Sequence, residues 1–282
     1  MTASAFAADR KIVFLAGPPS HPPGQHEYRA DCLLLKSCLD QFPGITSVVC
    51  SNGWPADGKS VFDGAAAIIV FTDGGWNHPL LQEDHLEIIG QLMRQGVGLA
   101  CVHYAIEPTK EKGEQKFLDW IGGCFEVDWS VNPRWTAEIK SLPSHPITRG
   151  VKPFALDDEW YFHMRFPADM KGVTPILSAV APPNTMRRAD GPHEGNPAVR
   201  ESVKRGEPQN LAWAFERADS GRGFGLTGAH FHESWGNDNF RKLALNAILW
   251  VAKVEVPPDG VKSTVTAEQL KENLDDKSGR RK

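Results

Sequence analysis

Three short apolar runs restrict the folds open to this chain more than any other feature: Lys11 to Gly17 (KIVFLAG), Ala65 to Thr72 (AAAIIVFT) and Val97 to Val102. Side chains of a strand alternate between two faces, so a strand that is apolar at consecutive positions needs cover on both. The segments between them supply that cover. Tyr28 to Asp40 sets Leu33, Leu34 and Leu35 among polar residues, and Leu81 to Arg94 repeats Leu81, His85, Ile88, Ile89 and Leu92 at helical spacing. Ser47 to Ser51 adds a further strand. Strands alternating with helices predict an α/β fold, a doubly wound and mostly parallel sheet covered on both sides.

After Trp120-Ile121-Gly122-Gly123 the pattern loosens. Trp135 to Ile139, Thr174 to Val180 and Leu211 to Phe215 are short extended segments between proline- and glycine-rich loops, which predicts antiparallel additions to the sheet. Phe224 to Phe231 returns as a strand and Phe240 to Ala252 as a closing helix. Asn184 to Gln209 is long, charged and rich in Pro and Gly, an exposed excursion expected to border a pocket. The chain divides into an N-terminal extension or signal remnant (1–10), one domain (11–253) and a polar C-terminal tail (254–282) with a weak helical piece near Ala267 to Asp275.

A formal net charge of -4 offers no basic surface for nucleic acid or anionic lipid, and 41% hydrophobic with 23% charged residues is ordinary for a globular chain without a membrane span. The five cysteines, Cys32, Cys38, Cys50, Cys101 and Cys124, form no CxxC pair and read as free core thiols. Ala5-Phe6-Ala7 before Ala8-Asp9 resembles the small-residue end of a secretory signal, which implies a periplasmic or secreted protein; a plain N-terminal extension implies a cytoplasmic one. Homo-oligomerisation is left open.

In open α/β sheets ligands bind beyond the carboxyl ends of the strands. The residues there are His26 with Tyr28 nearby, then Asp73, Trp76 and His78, then His103 and Tyr104, and finally His230, His232 and Trp235. A strand-end histidine is more often a hydrogen-bonding loop residue than a catalyst, but four strand ends converging on histidines and aromatics suit a site of proton transfer or metal ligation. Asp157-Asp158-Glu159-Trp160-Tyr161 adds carboxylates able to hold a tautomer, bind a metal or move a proton; a solvated acidic turn is the plainer alternative.

The ordered series Gly98 to His103, Phe117-Leu118-Asp119-Trp120-Ile121-Gly122-Gly123, His145-Pro146-Ile147-Thr148, Asp158-Glu159-Trp160-Tyr161 and Gly228-Ala229-His230, after a histidine loop behind the first strand, resembles the ThuA-like (trehalose utilisation) family from about Lys11 to Ala252. The resemblance implies the flavodoxin-like fold of the class I glutamine amidotransferase-like superfamily. Where those amidotransferases carry a nucleophilic cysteine this chain has His103, and Cys101 lies two residues earlier inside the strand, so a thiol amidotransferase is disfavoured. No G-x-S-x-G elbow supports a serine hydrolase. Two segments depart from the family pattern: the first loop, with Pro18, Pro19, Pro22 and Pro23, and the 184–209 insertion.

The resemblance implies carbohydrate catabolism, on a glucoside, disaccharide or keto-sugar. Such an enzyme, a hydrolase, isomerase or lyase, would use His103, His230 and Glu159 as its catalytic groups. His26, Tyr28, Asp73, Trp76, His78, Tyr104, Asp158, Tyr161, His232 and Trp235 would contact substrate, the aromatic rings packing on pyranose faces. His26, His103 and His230 with a carboxylate would suit Zn²⁺ or Mn²⁺, although no HxH or HExxH spacing requires a metal and a metal-free site stays open. The competing reading is a non-catalytic sugar-binding or interaction module on the same fold. A phosphate or nucleotide site in the first loop is a weaker third reading, set aside because Gly17-Pro18-Pro19 lacks the backbone N–H groups such loops supply.

Overall fold

The computed structural model describes residues 9–56 and 58–278; the signal-like Ala5-Phe6-Ala7 lies outside them. Among the described residues nine strands and five α-helices follow in the order β1 (Arg10–Ala16), α1 (Tyr28–Leu39), β2 (Ile45–Cys50), β3 (Ala65–Phe71), α2 (His85–Arg94), β4 (Gly98–Val102), α3 (Glu114–Ile121), β5 (Arg134–Ile139), β6 (Phe154–Glu159), β7 (Val173–Val180), α4 (Pro197–Lys204), β8 (Pro208–Glu216), β9 (Arg222–Leu226) and α5 (Asp238–Val251). Seven strands form one sheet in the order β2-β1-β3-β4-β9-β8-β7. The pairings from β2 to β9 are parallel, and β8 and β7 extend the sheet antiparallel. This is the expected doubly wound, mostly parallel sheet with antiparallel additions, in the flavodoxin-like strand order.

The continuous apolar runs are buried on both faces for the anticipated reason. Ile12, Phe14, Ile69 and Ala100 join a core with Leu35 and Leu39 of α1 and Leu245 and Leu249 of α5. Val13, Leu15, Ile68, Val70 and Cys101 face the opposite core, with Ile89 and Met93 of α2 and Phe117 and Trp120 of α3. Gly98 begins β4 where any Cβ would collide with the Val251 backbone of α5.

The remaining elements differ from the sequence pattern in four places. The β5 segment does not extend the main sheet but pairs with β6 in a separate antiparallel ribbon. Its alternating burial explains why: Trp135, Ala137 and Ile139 face the core and the residues between them face solvent. Asp157-Asp158-Glu159 is therefore strand, not turn. The β9 strand ends at Leu226, leaving 227–231 free to run across the strand ends. The 184–209 stretch contains α4, started by Pro197 and by Asn196 accepting from Val199 N at 3.0 Å, with Val199 and Val203 buried.

The polar stretch beyond 253 is packed rather than free. Val256 and Val261 are buried and Asn246 Oδ1 accepts from Val261 N at 2.8 Å. The helical piece expected near 267–275 is a single 3-10 turn, Gln269–Lys271. Cys32, Cys38, Cys101 and Cys124 are buried free thiols, and Cys50 is half-buried. Among the described residues no helix is long and apolar enough to cross a membrane.

Candidate functional site

The carboxyl ends of β1, β4 and β9 bring three histidines to one point. His26 Nε2 lies 2.9 Å from His230 Nδ1, and His103 Nε2 lies 3.1 Å from each of those atoms. All three are buried. His103 follows β4 directly, and its φ of 54 turns the chain sharply; His26 (47) and Ala229 (81) share that left-handed backbone. Such conformations are costly outside glycine and persist where the surroundings enforce them.

The outer partners fix which nitrogens face inward. His103 Nδ1 sits 2.8 Å from the Thr227 carbonyl oxygen, which can only accept, so Nδ1 carries the proton and Nε2 a lone pair. Tyr28 donates its hydroxyl to Asp73 Oδ1 at 2.6 Å, and its oxygen lies 2.6 Å from His26 Nδ1. His26 Nδ1 is then the donor and its Nε2 also presents a lone pair to the centre. Ser20 Oγ donates to the same Asp73 oxygen at 2.7 Å. His230 can offer one proton at most, which satisfies one neighbour. Ligands about 2.0–2.1 Å from one ion lie roughly 3 Å apart from each other, so the three nitrogens have the spacing of a facial metal-binding set.

Burial, foremost, and the neighbouring histidines hold all three neutral: His26 and His103 are pushed well below the ordinary histidine value and His230 is brought down to about 3. Glu159 Oε1 stands 3.6 Å from His230 Nδ1 and 3.9 Å from His103 Nε2. Burial, with the adjacent Asp158, pushes the Glu159 carboxyl up to about 7. The Tyr161 hydroxyl lies 3.2 Å from His103 Nε2.

Glu159, Tyr161, Tyr104 and His230 open into a cleft of about 660 Å³, large enough for a small sugar. His21, in the histidine loop behind the first strand, is another wall, and Asn132 and Arg134 are walls that carried no sequence signal. Arg188 and His193 also line it, and they lie in the 184–209 excursion flagged as a pocket border.

Several expected substrate contacts point elsewhere. His78 is wholly buried, with Nε2 3.0 Å from the Ala105 carbonyl and Nδ1 accepting from Leu80 N; it pins a turn. His232 and Trp235 are also buried, both bonded to Asp31 on α1, at 2.5 and 2.8 Å. The 3-10 turn His232–Gly236 carries them away from the cleft. Asp158 is fully buried and accepts from Ala229 N, His230 N and Ser234 Oγ at 3.0, 3.0 and 2.7 Å, so it shapes the His230 loop rather than touching ligand. Trp160 packs against Gly228, where a Cβ would not fit. Tyr28, equally buried, orients His26. Trp76 is exposed and lines a neighbouring cleft.

The family model described as trehalose utilisation, ThuA, matches residues 60–251. The chain belongs to the ThuA family. Similar solved structures include a putative ThuA-like protein from Bacteroides uniformis, 17% identical with a TM-score of 0.61, covering 89% of this chain and 94% of that one. Another, from Parabacteroides merdae, is 15% identical with a TM-score of 0.58, covering 92% and 93%. At that identity they establish the ThuA-like fold. No curated protein matches the chain. The family match spans His103, Glu159 and His230, whereas His26 lies before it.

Proposed function

We propose that the chain is an enzyme of carbohydrate catabolism acting on a glucoside, disaccharide or keto-sugar, with a Zn²⁺- or Mn²⁺-type cation held by His26, His103 and His230. The observation that carries this reading is the convergence of three neutral imidazole nitrogens within 3.1 Å of one another, two of them with lone pairs fixed inward by outer hydrogen bonds. Such a cation supplies Lewis acidity toward a substrate carbonyl or hydroxyl oxygen. The chain's own groups do the rest. Glu159, between the histidines and the open cleft, accepts a proton from the substrate; Tyr161 donates a hydrogen bond to the oxygen that faces His103; and Tyr104 packs against the ring. Cys101, buried inside β4 with its thiol pushed upward by that burial, supports a chemistry other than thiol-dependent glutamine hydrolysis.

Metal analysis of protein purified without a histidine tag, together with turnover of a panel of glucosides and their 3-keto derivatives, tests the reading. One equivalent of metal and conversion of at least one panel member are expected, and His103→Ala should abolish both. Absence of stoichiometric metal after reconstitution removes the cation; binding without conversion leaves a sugar-binding module.

A further inference from the structure

A second cleft of about 460 Å³ adjoins the first, and Tyr104 and His193 line both. Between them, His193 Nε2 lies 3.0 Å from both Glu107 carboxylate oxygens. Two features of the second cleft have no explanation within the free protein.

The first is Trp76. It is 76% exposed, the one exposed aromatic side chain among the described residues. Its exposure does not come from a loose loop. Gly75 N donates to the Glu107 carbonyl at 2.8 Å, Gln82 Nε2 to the Trp76 carbonyl at 2.7 Å, and Gly74 is pressed against Tyr104 too closely for a Cβ. A pinned backbone thus presents a bare indole to water. The second feature is Thr109, 7% exposed on the wall of the same cleft, whose Oγ1 has no hydrogen-bond partner. A buried hydroxyl without a partner is costly, and because Oγ1 is itself closed to solvent, a ligand hydroxyl in the cleft would satisfy it once the Thr109 side chain turns outward.

We infer that this cleft is a subsite for the second ring of a two-ring glycoside, with the ring's C–H face on Trp76 and one of its hydroxyls on Thr109. The inference rests on the carbohydrate reading and deepens it: the reacting ring lies beside the histidines and the second ring lies across Tyr104 and His193. The surroundings favour a sugar over a protein partner. Trp76 is rimmed by Asn77, Lys110, Glu111 and Asp128, with Pro108 and Val127 as the aliphatic residues of the same cleft, and a stacking face set among polar groups suits a ring that is apolar on its face and polar at its edge.

Calorimetric titration tests this with trehalose and its 3-keto derivative as two-ring probes, and methyl α-glucoside and its 3-keto derivative as one-ring probes. The two-ring probe is expected to bind the full chain about tenfold tighter. Trp76→Ala and Thr109→Val should each reduce that ratio, and together bring it within about twofold, while the one-ring Kd stays put. Thermal melts confirm that the variants fold, as expected for an exposed tryptophan. A ratio unchanged by both substitutions, or no two-ring preference in the unmodified chain, overturns the subsite while leaving the first pocket intact. Failure of every probe to bind overturns the carbohydrate reading as well.

Discussion

His26 presents its Nε2 to the centre only because Tyr28 occupies its other nitrogen, and Tyr28 can do so because Asp73 accepts its proton. Outer partners of this kind set the tautomer and orientation of ligating imidazoles, and their loss typically lowers metal affinity about 10–100-fold. Tyr28→Phe keeps the ring against Phe71, with centroids 5.3 Å apart, and deletes only the hydroxyl. The expected result in a chelator competition titration is a loss of metal affinity within that range, beside a stability loss of about 1 kcal/mol. Unchanged affinity would mean that His26 is not a ligand. The sequence displayed His26, His103 and His230 because strand ends in this architecture converge. It did not display which neighbours face the ligand, because Tyr28, Asp158, His78, His232 and Trp235 are equally close to strand ends in sequence. Their direction is set by partners such as the Ala105 carbonyl, 27 residues from His78, and Asp31, 201 and 204 residues from His232 and Trp235.

Elements were legible where a local pattern forces a layer. The runs that became β1, β3 and β4 are apolar on both faces and have only one home, the centre of a covered sheet. The β5 segment alternates, which states that one face is covered but not by what. The chain beyond 253 carried no pattern because its apolar anchors, Val256 and Val261, are isolated and its other anchors are polar. Lys277 is buried there, with Nζ 2.5 Å from the Gln25 carbonyl, 3.1 Å from the His26 carbonyl and 3.1 Å from Glu27 Oε1. Glu27 in turn accepts from Gly24 N at 2.8 Å and Asp275 N at 2.9 Å. The strap is thus tied to the backbone of the His26 loop. Removing one partner of a buried pair costs about 3–5 kcal/mol because the other charge is left uncompensated, whereas removing both costs less. Lys277→Met is expected to lower thermal stability and weaken metal binding together, and Glu27→Gln/Lys277→Met to be milder than the sum of the single changes. Additive losses in a double-mutant cycle would show that the two groups act independently.

At the scale of the whole molecule, the 184–209 excursion closes the pocket over the sheet, and the way it is fastened gives it a pH dependence. His193 reaches across to Glu107, stacks on Phe125 and is flanked by Arg188, while Glu159 adds a more distant negative charge. The hydrogen bond that His193 donates to Glu107 is the main influence and raises the His193 value above the ordinary 6.5; burial and Arg188 oppose it. A group whose folded value is raised lends its stabilisation fully below the unfolded value and loses it as pH rises through the folded one. The fastening is therefore complete in mild acid and fades on the alkaline side of 6.5. His193 is partly exposed, so the effect is modest, about 0.5–1 kcal/mol, or roughly two- to fivefold in local opening. The backbone bonds from His193 N to Val127 O and from Asn132 N to His193 O carry no charge and keep the segment attached throughout. Hydrogen exchange, corrected for its intrinsic pH dependence, should show protection across 191–195 falling by that factor between pH 6 and pH 8.5, while β3 and β4 stay unchanged. In His193→Gln, which keeps a hydrogen bond but cannot take up the charge, protection should be independent of pH over the same range. A wild-type profile as flat as that of the variant would show that the charge on His193 plays no part in holding the pocket wall.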